Sequence, residues 1–291
     1  MKTNEKVESI RACPDCRLSL VNRDRELFCQ TCESSFRVSA GMQVLLSKLH
    51  TLISFYESDN YKQQKFSNRR LPTPEERIWS SSSKRCINQL LRNVNPDDPN
   101  KVVLNLGAGI EKIFDSAFSQ YRTIVKLGLP TRSKVDIVGD AEELPILSDS
   151  VDAYLSSSVL EHVKNPDKAV AEMFRVIKKG GVVYAEIPFL RAYHMAPYDY
   201  QRYTISGIEA LFERHGFQMI EKGICSGPFN AWALFTRDFF VVIMPFEILK
   251  KFARFLFSWT LHPVKYLDFL VENNKWSRFL ACNFYYYGIK P

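Results

Sequence analysis

The chain has 291 residues, 46% of them apolar, with 39 lysines and arginines against 32 acidic residues and a formal charge of +7. That length can bury one large core and a small second one, and the charge admits nucleic acid or anionic lipid as a partner without choosing between them. No run reaches the roughly 20 apolar residues needed to cross a bilayer, and Lys2, Glu5, Lys6 and Glu8 stand where a signal-peptide core would begin, so a cytoplasmic address is expected.

Four of the seven cysteines fall in one short span, as Cys13-Pro14-Asp15-Cys16 and Cys29-Gln30-Thr31-Cys32. Each pair fits a knuckle-like turn. The residues between the pairs can form a hairpin that brings four thiolates into a tetrahedron around zinc. Two disulfides are the competing reading, which the absence of secretory features disfavours. Four sulfur ligands leave a metal no open position, so its role would be structural. Cys86, Cys225 and Cys282 are scattered and read as small buried hydrophobes. Residues 49–100 are polar and irregular, broken by Pro72-Thr73-Pro74 and Ser80-Ser81-Ser82-Ser83, and become helical near Lys84 to Val94. Phe55, Tyr56, Tyr61, Lys62, Lys65, Phe66, Arg69 and Arg70 mix aromatic and basic groups there, which suits either RNA contact or a lid over a cleft.

Val102-Val103-Leu104-Asn105-Leu106-Gly107-Ala108-Gly109 is an apolar run ending in two glycines before a helix-like segment. It reads as a strand, a tight turn and a helix start, where a ligand can press against backbone N–H groups. Further strands are expected at Thr123–Leu127, Val135–Val138, Val151–Leu155 and Val182–Ile187, with helical segments between most of them. Such alternation predicts a parallel sheet covered on both faces.

The segment from Pro188 to Thr204 leaves the carboxyl end of the fifth strand, where ligands of open α/β sheets bind. His194 is its candidate general base. Asp199, Arg202 and Tyr203 are candidates for orienting a polar substrate, and an Asp199–Arg202 pair that merely pins the loop is the competing reading. Thr204 or Ser206 starts a helix that Gly216 ends. Phe217–Gly223 and Phe284–Gly288 read as the sixth and seventh strands, leaving about 224–282 as an apolar insertion. On a helix from Phe246 to Trp259, Leu249, Phe252, Ala253, Leu256 and Trp259 share one stripe, with Lys250, Lys251 and Arg254 largely off it. This pattern fits a helix lying on a membrane surface or one packed against protein.

Three runs in order, Gly139-Asp140-Ala141-Glu142-Glu143-Leu144-Pro145, Leu160-Glu161-His162-Val163 and Arg175-Val176-Ile177-Lys178-Lys179-Gly180-Gly181, resemble the hallmarks of the class I (Rossmann-like) methyltransferases that use S-adenosylmethionine (SAM), in their small-molecule (type 11) branch. The resemblance covers residues 85–223, and the cysteine segment through Leu46 resembles a zinc ribbon that sometimes precedes such domains. It implies an α/β fold with a Rossmann-like seven-stranded sheet, the seventh strand antiparallel beside the fifth, and a small N-terminal zinc ribbon. The implied domains are the ribbon at 1–48, a linker and lead-in helix at 49–100 and a methyltransferase domain at 101–291. By resemblance, Gly107, Ala108 and Gly109 hold the amino-acid end of SAM, and Asp140 with Ala141 meets its adenine. Glu161 and His162 lie near the methyl-transfer end, and Cys13, Cys16, Cys29 and Cys32 hold structural Zn2+. Asp140 equally suits a turn.

Two departures stand out. The acid expected after the second strand, where it binds the ribose, is replaced in Val125-Lys126-Leu127-Gly128-Leu129, and Glu111 stands where a third glycine is usual. The reading is a cytoplasmic SAM-dependent methyltransferase of a small or lipid-linked molecule, its insertion either touching a membrane surface or packed on protein. A ribosomal RNA methyltransferase, its ribbon holding RNA, and a non-catalytic binding module of the same fold stand as alternatives.

Overall fold

The computed structural model describes residues 2–24, 26–39, 41–46, 73–74, 77–95, 98, 100–107, 124–128, 135–195 and 197–291, with residues 2–4 and 39 described by backbone alone. The N-terminal elements are α1 (Lys2–Ile10), β1 (Val21–Arg23), β2 (Glu26–Cys29), β3 (Ser34–Ser39), β4 (Met42–Val44) and α2 (Ser81–Val94). Next come β5 (Val103–Leu106), β6 (Ile124–Leu127), β7 (Ile137–Val138), β8 (Val151–Ser157), α3 (Pro166–Val176) and β9 (Ile177–Pro188). The chain finishes with α4 (Ile205–Glu213), β10 (Gln218–Ser226), α5 (Pro228–Val242), α6 (Glu247–Thr260), α7 (Asp268–Val271) and β11 (Asn283–Ile289).

The strands form one sheet in the order β1-β2-β3-β4-β7-β6-β5-β8-β9-β11-β10. From β4 through β7, β6, β5 and β8 to β9 neighbours run parallel, and β11 lies antiparallel between β9 and β10. This corrects the expectation of a seven-stranded sheet: among the described residues eleven strands are joined, β1–β4 extending it beyond β7. The reason lies at β7, a two-residue strand whose outer edge would otherwise present unpaired backbone groups. β4 covers that edge in register Gln43↔Ile137 and Val44↔Val138, and Met42, Val44 and Leu46 pack with Val135 and Val138.

β5 and β8 are buried at every position and β9 at most of its positions, as expected of parallel strands covered on both faces. One face carries Leu104, Leu106, Tyr154 and Val183 against α3 and α4, whose Val170, Met173, Ile208 and Phe212 are fully buried. The other carries Val103, Ala153, Leu155 and Tyr184 against Trp79 and α2. α2 offers Cys86, Ile87, Leu90, Leu91 and Val94 on one stripe, and the Ser80 side chain caps it by accepting from the Ser83 N–H. Truncating a residue as buried as Leu90 to alanine costs about 2–5 kcal/mol through lost transfer energy and a residual cavity. α3 begins at Asn165, whose side chain accepts from the Lys168 N–H, with Pro166 in the first turn.

The insertion between β10 and β11 is helical. Asp268 caps α5 by accepting from the N–H groups of Gly227, Phe229 and Asn230, and Gly227 is required there because a Cβ would approach Asp268 Oδ1 to 2.5 Å. α5 and α6 pack together, with Phe240 stacked on Phe257 at 4.3 Å. On α6 only Ala253 and Ser258 are buried. Leu249, Phe252, Leu256 and Trp259, the rest of the expected stripe, are exposed, so no other described residue covers it.

Candidate active site

β5 lies between β6 and β8, at the point where the strand order reverses, and ligands of open α/β sheets bind outside the carboxyl ends of strands at such a place. The turn there is built on glycine. Gly107 has φ +78°, and a Cβ on it would come within 2.3 Å of Val159 Cγ2. Gly128, at the end of β6, has φ +147°, and a Cβ there would lie 3.5 Å from Gly107 Cα. The missing ribose-binding acid thus has a backbone cause, since residues with side chains rarely adopt that conformation. Ala108, Gly109 and Glu111 lie outside the described residues, as do the aromatic and basic residues read as either an RNA contact or a lid.

After β7, Asp140 Oδ1 accepts from the Glu142 N–H at 2.9 Å, so the carboxylate does form the turn, and Ala141 beside it is buried. Glu142 in turn accepts from the N–H groups of Lys164 and Asn165 at 2.8 and 3.0 Å, fastening this loop to the start of α3.

Beyond β8 the chain makes a 3-10 turn, Leu160–His162, and the loop after β9 folds back onto it. Gln201 Nε2 donates to Leu160 and Val163 carbonyls at 2.8 and 3.0 Å, and the Tyr200 N–H donates to Glu161 O at 2.8 Å. Arg202 holds Asp199 with two nitrogens at 2.5 and 2.7 Å, which realises the pinning pair. Burial pushes the Asp199 carboxyl up, but Arg202 and the His194 N–H outweigh it and bring it down to about 2. Tyr203 is half-buried against the main core, and that burial raises its phenol. The fold-back brings Glu161, His162 and His194 together, with the imidazole centroids 4.9 Å apart in a T-shaped pair. Gln201 was not singled out in the sequence, because its partners are backbone carbonyls that no side-chain pattern reveals.

Residues 113–185 match the Methyltransf_11 family, described as a methyltransferase domain. The matched stretch is about a quarter of the chain, similar to a methyltransferase domain, and lies within the mixed α/β sheet. The chain is 46% identical over 59 residues to the demethylmenaquinone methyltransferase of Renibacterium salmoninarum, a match covering 20% of this chain and 25% of that protein. It is 44% identical over 46 residues to the chloroplastic 2-methyl-6-phytyl-1,4-hydroquinone methyltransferase 1 of Oryza sativa subsp. japonica, covering 16% of this chain and 14% of that one. The matched part is thus a quarter or less of these relatives. Phosphoethanolamine N-methyltransferase 2 of Haemonchus contortus, solved with SAM, aligns at TM-score 0.46 and 17% identity, covering 72% of this chain and 52% of that one.

Two further side-chain clusters complete the picture. At the carboxyl ends of β8 and β9, Glu186 is buried and pairs with Arg77, accepts from Asn283 Nδ2, and accepts from Ser157 Oγ at 2.6 Å. Arg77 also donates to Ser158 Oγ at 3.0 Å. This cluster holds the segment before α2 over the end of the sheet. At the N-terminus, β1 and β2 form the hairpin between the cysteine pairs, and one Sγ from each of Cys13, Cys16, Cys29 and Cys32 lies within 4.8 Å of the others. Zn–S bonds of about 2.3 Å in a tetrahedron put sulfurs about 3.8 Å apart, so the donor set fits a metal. Burial pushes Cys13 up to about 11, and the Cys16 thiol pushes Cys32 up to about 12. Cys29, against the effect of its own burial, is lowered by the Cys32 N–H and the Cys16 thiol. A bound cation would displace the protons that Cys13 and Cys32 otherwise keep.

Proposed function

We propose that this chain is a SAM-dependent methyltransferase whose acceptor is a small lipid-like or quinone-related molecule met at a membrane surface. The family match and the named reactions of its relatives support the methyl transfer and the acceptor class. The observation that carries the membrane part is the insertion's exposed apolar surface. Phe235, Val242, Phe246, Ile248, Leu270, Trp276 and Phe279 are all more than half exposed, with Ile248 at 77% and Leu270 at 81%. Lys250, Lys251, Arg254, Lys275 and Arg278 lie among them in the sequence. Among the described residues no helix is long and apolar enough to cross a membrane, so contact would be in the plane of the headgroups. Each large apolar side chain buried there contributes about 1.5–3 kcal/mol, and each basic residue near an anionic leaflet about 1 kcal/mol.

The insertion adjoins the acceptor loop. The N–H groups of Phe189 and Leu190 donate to Cys282 and Ala281, at the insertion's end, and Phe189 lies 5.3 Å from Phe284. An acceptor with an apolar tail could thus leave its tail at that surface and present its reactive head to the polar loop. When bound, SAM supplies an electrophilic methyl on sulfur for in-line attack, and orientation can account for most of the rate. The backbone of Gly107, Ala108 and Gly109 would hold its amino-acid end and Asp140 with Ala141 its adenine. The side-chain-free floor made by Gly107 and Gly128 fits such a group. Glu161, His162 and His194 would stand at the acceptor's head, with Asp199 and Arg202 positioning His194 and Tyr203 bracing the loop. Cys13, Cys16, Cys29 and Cys32 would hold one structural zinc, and the address would be cytoplasmic, at the inner membrane face.

The deciding experiment is transfer of a labelled methyl from SAM to fractionated cell extract by the full chain. Label in the lipid or quinone fraction is expected. Label in RNA would instead support the ribosomal RNA reading, and calorimetry showing no SAM binding would leave only the non-catalytic module. Sedimentation with anionic vesicles at low salt tests the surface, with Lys250 and Lys251 changed to Glu expected to release the protein.

A further inference from the structure

Glu161 is completely buried, and neither of its carboxylate oxygens accepts a hydrogen bond among the described residues. An ionised carboxylate in that state is among the costliest groups a fold can carry unless a cation meets it. Two imidazole nitrogens face it. Nε2 of His162 and Nε2 of His194 each lie 3.7 Å from Glu161 Oε1.

The far side of each ring fixes what those nitrogens are. His162 Nδ1 lies 2.5 Å from the Tyr198 carbonyl. His194 Nδ1 lies 3.1 Å from the Ala192 carbonyl and 3.3 Å from Asp199 Oδ2. Carbonyl and carboxylate oxygens only accept, so each Nδ1 carries the hydrogen. Arg202 Nη2, 3.3 Å from His194 Nδ1, is a second donor and does not reverse this, because its stronger contact is with Asp199 at 2.7 Å. In the neutral rings both Nε2 atoms therefore aim lone pairs at the carboxylate. Three acceptors converge, and among the described residues no donor bonds to the carboxylate.

We infer that Glu161, His162 and His194 form a binding site for a divalent transition cation, separate from the cysteine cluster. At 3.7 Å the nitrogens are too far from Oε1 for direct hydrogen bonds. They are close to the separation of about 3.4 Å that two ligands have around one ion with bonds of about 2.1 Å. One ligand atom from each of the three residues lies within 4.8 Å of the others. The outer contacts are those of metal-binding histidines, whose second nitrogen donates to a carbonyl or carboxylate and so fixes the ring. Two imidazoles and one carboxylate suit Zn2+ or Fe2+ rather than Mg2+ or Ca2+, and three protein ligands leave positions open. With the ion bound, His194 is a ligand, which replaces the general-base role expected from the sequence. The site follows from this donor set alone and does not depend on methyl transfer.

The test uses the full chain with its cysteine cluster loaded, titrated with Zn2+ and, in parallel, with Co2+. One further equivalent is expected to bind, and Co2+ in it should show weak visible bands without the intense thiolate charge-transfer absorption of the cysteine site. Glu161→Gln and His194→Ala should each weaken this equivalent by at least about 100-fold, more than the loss of an outer partner costs, while the cysteine-bound metal and the circular dichroism spectrum stay unchanged. His194 lies on a loop, so its variant decides if Glu161→Gln folds poorly. A wild-type chain that takes up no metal beyond the cysteine site overturns the inference, as does a second equivalent that persists undiminished in His194→Ala.

Discussion

Two glutamates end up buried at the carboxyl ends of neighbouring strands, and they live in opposite circumstances. Glu186, on β9, is enclosed by Arg77, Asn283 and Ser157. Glu161, just past β8, has two histidine nitrogens at 3.7 Å and accepts no hydrogen bond among the described residues. A carboxylate met by three donors is part of the framework, since its partners were chosen by the fold itself. One at the same depth that accepts no hydrogen bond among the described residues is the feature from which the cation site is inferred.

The comparison breaks most visibly if the first glutamate is removed. Glu186→Ala leaves the Arg77 guanidinium buried without its counter-charge, and a loss of about 3–5 kcal/mol is expected in denaturant unfolding. Glu161→Ala removes no hydrogen bond, so in metal-free protein it should change stability far less. An equal loss in the two variants would show that Glu161 is framework as well.

A third buried carboxylate sharpens the contrast. Asp152, at the start of β8, accepts from the Val102 N–H, from Lys101 and from Lys178 at 2.9, 3.0 and 2.8 Å. Burial pushes its carboxyl up, but Lys178, the Val102 N–H and Lys101 together bring it below the usual range. A depressed folded value contributes stability that is present above the unfolded carboxylate range and lost as pH falls through the folded one. Asp152→Asn should therefore cost about 1.5–3 kcal/mol near neutral pH and flatten the acid limb of the stability profile. An unchanged acid limb would mean that its partners do not favour the charged form.

The smaller effects concern ligands. Asp140→Ala should weaken SAM binding by about 1–3 kcal/mol in calorimetry, whereas His194→Ala should lower turnover with SAM affinity intact. Equal loss of turnover and SAM affinity in His194→Ala would make the whole fold-back loop a cofactor wall.

What the sequence reveals depends on how local the cause is. β5 through β9 show as apolar runs because strands buried on both faces have little choice of residue, and the Asp199–Arg202 pair shows because its members sit three positions apart. The cysteine hairpin shows in its spacing. β4 does not, since a three-residue strand has no period and its partner lies on β7. Nor does the Arg77–Glu186 pair, whose members are 109 positions apart and whose glutamate sits unmarked in an apolar strand. The α6 stripe is plain in the sequence, but the pattern is the same whether protein or lipid covers it.

The pairing of β4 with β7 reaches beyond the sheet. The Asp140 turn follows β7 directly, and the N-terminal segment grips it from both sides. Gln43 and Leu45 donate to Asp136 and Val138, and Ala12 donates to Pro145 while Leu147 donates to Ile10. A chain begun at residue 101 would strand those backbone groups, at about 0.5–1.5 kcal/mol for each hydrogen bond. The first 46 residues thus act as one jaw of a vice whose other jaw is α3, and the Asp140 turn is the workpiece held between them.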